Sequence, residues 1–322
     1  MRGSIRWQVQ HLFLNSGINR IGQSKHAAKV SAREQFHEKN SPATSHALAK
    51  ETGIHSIATA DAYRDVWQLV GNLVKQEYGV RDLETLSGEH IQAFLESKIA
   101  AGVAHSTFMQ YAAACEKMET ALNLLAGVKG SGRSYDFTAS IENARADAHR
   151  MLARFEGSRA YADPQEILKQ IREPVFHLVA KVQLEGGARI SEVNHLKVSQ
   201  LKGIDQDRVT GRDCGLIRIE KGKGGKDRDM HLSAATYERL KAAVISQNNR
   251  LEFDKDRYRN ELKRAALASG QKYQGSHGLR WNYARDRFRE VQRHGQTYEQ
   301  AMIQVSRELG HERADITEHY LR

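Results

Sequence analysis

The sequence predicts an α+β protein, mainly α with a small β-hairpin, built as a helical bundle followed by a mixed domain. Three observations carry this. Apolar residues recur at three- and four-residue spacing from about residue 46 to 126, the pattern of amphipathic helices. The Gly- and Ser-rich stretch GVKGSGRSY, 127–135, then interrupts that pattern and reads as a linker. Further on, two short, partly alternating runs, GLIRIE (215–220) and DRDMHL (227–232), flank the Gly-rich KGKGGK as the arms of a hairpin. At 322 residues the chain is long enough for two domains with separate cores.

In chain order, residues 1–45 form a basic, weakly patterned extension. Arg2, Arg6, Arg20, Lys25, Lys29, Arg33 and Lys39 there outnumber Glu34 and Glu38. This segment is either a solvated extension or an arm that contacts nucleic-acid phosphate or a neighbouring protomer. Tyr63, Val66, Trp67, Val70, Leu73, Val74 and Tyr78 then give one apolar helix face. Ile91, Phe94, Leu95 and Ile99 make a second face. Phe108, Tyr111, Ala112, Cys115, Met118, Leu122 and Leu125 make a third, with Ser106 or Thr107 as N-cap. These aromatics lie on buried stripes, which makes them core residues and not a base-stacking platform. The bundle is placed at 46–126 and the linker, with one further helix at about 138–155, at 127–157. Asp163 followed by Pro164 marks a new helix start, and the second domain runs over 158–322.

The formal charge of +10, with pI near 9.5, suits a polyanionic partner. Acidic membranes and acidic proteins attract basic chains as well. No apolar run approaches the length of a membrane span, and the N-terminus lacks the apolar core and cleavage site of a secretory signal. Cys115 and Cys214 are far apart and in no metal-ligand spacing, consistent with two reduced thiols in a cytoplasmic protein.

The chemistry concentrates in the second half. Arg189 lies in EGGARISEV, where Gly186 and Gly187 precede a helical pattern, so its place is a helix start suited to a phosphate. Glu192, three residues on, is placed to pair with and orient a basic group. Lys223 sits in the hairpin tip with Lys221 and Lys226, and Arg228 follows. The glycines there do not make a nucleotide-binding loop, because no Ser or Thr follows the lysine at the required spacing. His277 and Arg280 are one helical turn apart, so both can face one phosphate. His311 follows Leu309-Gly310, where the glycine permits a tight turn, and Tyr320 comes nine residues later. Each piece has an ordinary reading as a surface or turn residue. A zinc site from His277, His311 and His319 would lack a compact ligand pair.

The ordered set Arg189, Lys223, His277, Arg280, His311 and Tyr320 resembles that of the tyrosine recombinases, the lambda-integrase and Xer-like family. The resemblance spans about residues 46–322, by motif in the second half and by architecture in the first, helped by HSTFMQYAAA. It implies that 46–126 is a core-binding DNA-binding domain and 158–322 a catalytic domain, which together clamp duplex DNA. Tyr320 would be the nucleophile, forming a covalent 3′-phosphotyrosyl link that stores the phosphodiester energy, so that neither ATP nor metal is needed and no cofactor is expected. Arg189, Arg280, His277 and His311 would hold and polarise the phosphate. Lys223 would be the general acid in the minor groove, with Lys226 as the fallback. Lys221, Lys226 and Arg228 would contact DNA. The resemblance also implies a homo-tetramer on two double-stranded DNA sites, a Holliday-junction intermediate and an association with the nucleoid.

Two departures stand out. Many relatives carry a further helix beyond the tyrosine that docks into a neighbouring protomer. Here two residues follow Tyr320, leaving that contact to another element such as the 1–45 arm, or to a part missing from a shortened chain. The 127–157 segment is also longer than a minimal linker. Other functions to weigh are a type IB topoisomerase-like enzyme with the same cleavage chemistry, a non-catalytic DNA-binding protein on the same fold and a generic basic interaction protein.

Overall fold

A computed structural model describes residues 1–220, 222, 227–311 and 315–321, with the side chains of 45, 46, 315 and 316 excepted. The chain divides into two compact units, Met1–Phe155 and Glu156–Arg322.

The first unit is all helical: α1 Ile5–Asn15, α2 Lys25–Glu38, α3 Ser45–Glu51, α4 Ile57–Tyr78, α5 Gly88–Ala100, α6 His105–Lys129 and α7 Thr138–Met151. Ser4, Ser24, Thr44 and Ser56 each accept a backbone N–H at the start of the helix that follows, satisfying donors that a first turn leaves free. Gly79 and Gly130 end α4 and α6 in the left-handed region, the conformation glycine adopts without a Cβ penalty. Trp67, Phe94 and Phe108 are fully buried at the centre, on the faces the periodicity marks out. Tyr78, at the end of the first stripe, is exposed.

The structure redraws two expected boundaries. Residues 1–45 are not a detached extension: Ile5, Val9, Leu12 and Phe13 of α1, with Ile18, are buried in the same core as α4. The basic residues of this segment obscure a four-residue apolar stripe. Nor is 127–157 mainly a linker. Helix α6 continues through Lys129, and α7 buries Ile141, Ala144 and Ala148 in the first unit. Helix α6 also begins at His105, so Ser106 and Thr107 lie inside it and Ala104 takes the cap position without a side-chain bond.

The second unit opens with α8 Pro164–Gln170, capped by Asp163 with Pro164 in its first turn as expected. It continues through α9 Pro174–Gly186, α10 Ile190–Val193, β1 Leu201–Gln206, β2 Asp213–Ile219, β3 Arg228–Ser233, α11 Ala234–Ser246, α12 Lys255–Ala268, α13 Ser276–Arg293, α14 Tyr298–Glu308 and α15 Asp315–Leu321. The strands form an antiparallel sheet in the order β1-β2-β3. The hairpin register pairs Ile219 with Arg228 and Ile217 with Met230. This puts Ile217, Ile219, Met230 and Leu232 into a core with α9, α11 and α12. Strand β1 is not foreseen, because LKGIDQ is largely exposed and carries no apolar alternation. A second cluster, around Trp281, Val305, Leu309 and Tyr320, joins α13, α14 and α15.

Among the described residues, no helix is long and apolar enough to cross a membrane.

Candidate active site

Arg189 is the N-cap of α10, with extended backbone. Gly187 just before it ends α9 at φ +61°, and a Cβ there would collide with the ring of Tyr283. The tight reversal between α9 and α10 therefore depends on glycine and delivers Arg189 beside Glu192. Arg189 Nη1 donates to Glu192 Oε1 at 2.7 Å, and its backbone N–H donates to Oε2 at 2.9 Å.

Arg228 Nη2 donates to the same carboxylate at 2.7 Å, while its Nη1 bonds the Glu308 carbonyl. Burial alone would raise the Glu192 carboxyl. The charge of Arg228, the Arg189 N–H and the charge of Arg189 outweigh it and bring the pKa down to about 2. Arg228, expected as a DNA contact, is 7% exposed. As the first residue of β3 it turns inward, and its guanidinium is committed to Glu192 and the end of α14.

Arg280, on α13, is fully buried. Its guanidinium donates to the carbonyls of Gly187 and Leu309, which fixes the planar fork between the end of α9 and the end of α14. Burial first, then the charge of Arg189, lowers its pKa to about 10, so it stays cationic at neutral pH. The Nη2 of Arg280 also lies 3.3 Å from His311 Nε2. An arginine can only donate, so this contact assigns the ring proton of a neutral His311 to Nδ1. That Nδ1 is buried and without a hydrogen-bond partner among the described residues. Burial, then the charges of Arg280, Arg189 and Arg228, push the His311 pKa down to about 3, which keeps the ring neutral.

Tyr320 comes from α15 and is 6% exposed. Its hydroxyl lies 3.1 Å from His277 Nε2, and its ring stands 5.5 Å from His311 and 5.1 Å from Trp281. The Arg280 guanidinium carbon lies 6.0 Å from the ring centroid. The site thus sets Arg189 and Arg228 on the Glu192 carboxylate with Arg280 held on main-chain carbonyls beside them, leaving an excess of positive charge near a phenol that touches an imidazole. Such a site favours an anion and suits attack on one.

The structure therefore brings together Arg189, His277, Arg280, His311 and Tyr320. Lys221, Lys223 and Lys226 lie outside the described residues. Other tyrosines are placed differently. The Tyr283 hydroxyl is buried and donates to Glu308 Oε2 at 2.7 Å. Tyr298 is exposed and packs on Phe288. Among the described residues, no group of three or more His, Cys, Asp or Glu could hold a metal ion.

Sequence reasoning did not single out Trp281, which packs on Tyr320 and on His319 at 5.0 Å. It also missed Glu308. Neither has a spacing signal, since a tryptophan next to an arginine and an acid at a helix end are both commonplace. Glu192 was legible from its spacing to Arg189.

No protein-family model and no curated protein sequence matches the chain. Solved structures do. The Tn1549 transposon integrase in complex with a circular intermediate DNA aligns with TM-score 0.54 at 11% identity, over 94% of this chain and 96% of that one. The same integrase in complex with transposon right end DNA gives TM-score 0.53 at 11% identity, over 93% and 95%. The XerA recombinase aligns over 93% and 94% at 15% identity, with a TM-score of 0.38, too low to compare folds. The chain has the fold of the Tn1549 integrase, a mainly helical α+β architecture with a three-stranded antiparallel sheet.

Proposed function

We propose that this chain is a site-specific DNA recombinase of the tyrosine type, cleaving and rejoining duplex DNA through a 3′-phosphotyrosyl intermediate. The observation that carries the proposal is the Tyr320 hydroxyl, 3.1 Å from His277 Nε2, inside a cluster with three arginines and one acid. The shared fold with an integrase solved on DNA supports double-stranded DNA as the partner.

In this reading Tyr320 Oη attacks the scissile phosphorus and its proton passes to His277 Nε2. The new bond joins Oη to phosphorus, and the bond to the 5′ oxygen breaks. Lys223 gives that oxygen its proton. A phenol is almost wholly protonated at neutral pH, so the adjoining base matters. Arg189 and Arg280 hold the non-bridging oxygens as charge builds, with neutral His311 as an uncharged donor through Nδ1–H. Held by main-chain carbonyls and Glu192, these arginines need little reorganisation at the moment of reaction. Rejoining is the reverse, with a 5′ hydroxyl displacing the tyrosine, and it needs no ATP or metal. A homo-tetramer on two sites would pair the cleavage events.

Nicked suicide duplexes, built on a site selected from random-sequence DNA, test the reading. The wild-type chain should form an adduct that survives denaturation, and two differently labelled duplexes should then yield recombinant products. Relaxation of supercoiled DNA without exchange would instead identify a topoisomerase. Binding without any adduct would identify a non-catalytic DNA-binding protein.

A further inference from the structure

Behind the site lies a second, buried polar network that touches none of the candidate reacting atoms. The Glu308 carboxylate, at the end of α14, receives Arg287 Nε at 3.1 Å on both oxygens and Arg287 Nη2 at 2.9 Å. It also takes the Tyr283 hydroxyl at 2.7 Å and Gln304 Nε2 at 2.8 Å. Arg287 is clamped in turn by Asp207 and Glu290, each at 2.7 Å. The carboxylate is thus saturated by groups on α13 and α14, and Arg287 ties it in turn to the loop after β1.

The backbone of the same residue faces the other way. The Glu308 carbonyl accepts Arg228 Nη1, the Leu309 carbonyl accepts Arg280 Nη2 and His311 follows two residues later against Arg280. The turn between them cannot absorb much change. Gly310 sits at φ +72°, and a Cβ there would lie 2.9 Å from Arg228 Cδ. Glu308 therefore joins the two networks, its side chain fixed on the far side, its own carbonyl holding Arg228 and the carbonyl of the next residue, Leu309, holding Arg280. A buried ion pair is in itself weak evidence of stabilisation. Here its geometry fixes the height and rotation of the carbonyls on which Arg228 and Arg280 hang.

The geometry points to Glu308, anchored by Arg287 and Tyr283, as a positioning residue that sets Arg280 and His311 for phosphate, and Arg228 for the Glu192 carboxylate, without touching the phosphate itself. This rests on the recombinase reading above. The informative variant is Glu308→Gln, which keeps size and an acceptor oxygen but loses the charge that Arg287 grips. The companion is the double replacement Glu308→Met with Arg287→Met, which removes both charges of the pair together and frees Asp207 and Glu290 from it.

Adduct formation on the selected nicked duplex, measured well below the melting temperature, should slow by about 10²-fold, the scale of an ångström-level misplacement. Affinity for the same duplex should change little. Arg287→Lys, which keeps the charge without the fork, should be intermediate. In the DNA-free chain, the NMR signals of the Arg280 side chain and the His311 ring should move in both Glu308 variants. Lower melting temperatures with wild-type cleavage rates and unmoved signals would make the network merely structural and overturn the proposal. If the wild-type chain itself forms no adduct, the recombinase reading falls. The NMR signals then decide the positioning claim alone, moved supporting it and unmoved overturning it.

Discussion

Replacing Glu192 with Gln removes the carboxylate that Arg189 and Arg228 share and leaves two cations facing each other in a buried place. The side chains of Glu192 and Arg228 are 5% and 6% exposed, so solvent screens them little. Two routes give the size of the loss. The fall of the Glu192 pKa from 4.5 to about 2 corresponds to about 3 kcal/mol favouring its charged form. Breaking a buried pair by removing one partner costs about 3–5 kcal/mol. Both point to about 3 kcal/mol. The sign follows from a folded pKa below the unfolded one: the contribution is complete above about 4.5 and is lost as pH falls towards about 2. Hydrogen exchange of the α9 and α13 amides reports the second unit by itself. Glu192→Gln should lower their protection by about 3 kcal/mol at pH 7, and the difference from wild type should narrow as pH drops below 4.5. Equal protection at pH 7, or a difference that does not change with pH, would refute the shared-carboxylate account.

Gly187→Ala should destabilise the second unit by about 1–3 kcal/mol through its left-handed backbone and its collision with Tyr283. It should also slow cleavage, because the Gly187 carbonyl holds Arg280; thermal denaturation and adduct rates together check this. The His311 ring should show no titration between pH 8 and pH 5 by NMR, since burial and the arginines place its pKa near 3. Because the native ring resists the proton that the unfolded ring accepts, His311 should cost the fold stability as pH falls below about 6.5, the cost becoming complete below about 3. A midpoint near 6.5 would contradict the arrangement.

Much of this organisation was legible in the chain. Asp163-Pro164 marked α8 because a capping carboxylate and a preset φ act locally. The stripe around Trp67 marked α4 because burial repeats with the helix turn. Strand β1 escaped because its residues are paired by the backbone while their side chains are largely exposed, so no pattern records it. Helix α1 is hard to see in the sequence because the basic residues of the segment mask the spacing of Ile5, Val9 and Phe13. Within the site, Arg189 and Glu192 were readable as a local pair. The contact between His277 and Tyr320 spans 43 residues and required α13 and α15 to pack. The inward turn of Arg228 and the role of Glu308 depend on tertiary partners that no local spacing encodes.

The most direct test of the central claim is to map the covalent link. After trapping on the suicide duplex and digestion of protein and DNA, mass spectrometry should find the nucleotide remnant on Tyr320, and the Tyr320→Phe chain should bind the duplex without forming an adduct. A remnant on any other residue, or an adduct that persists in Tyr320→Phe, would contradict it.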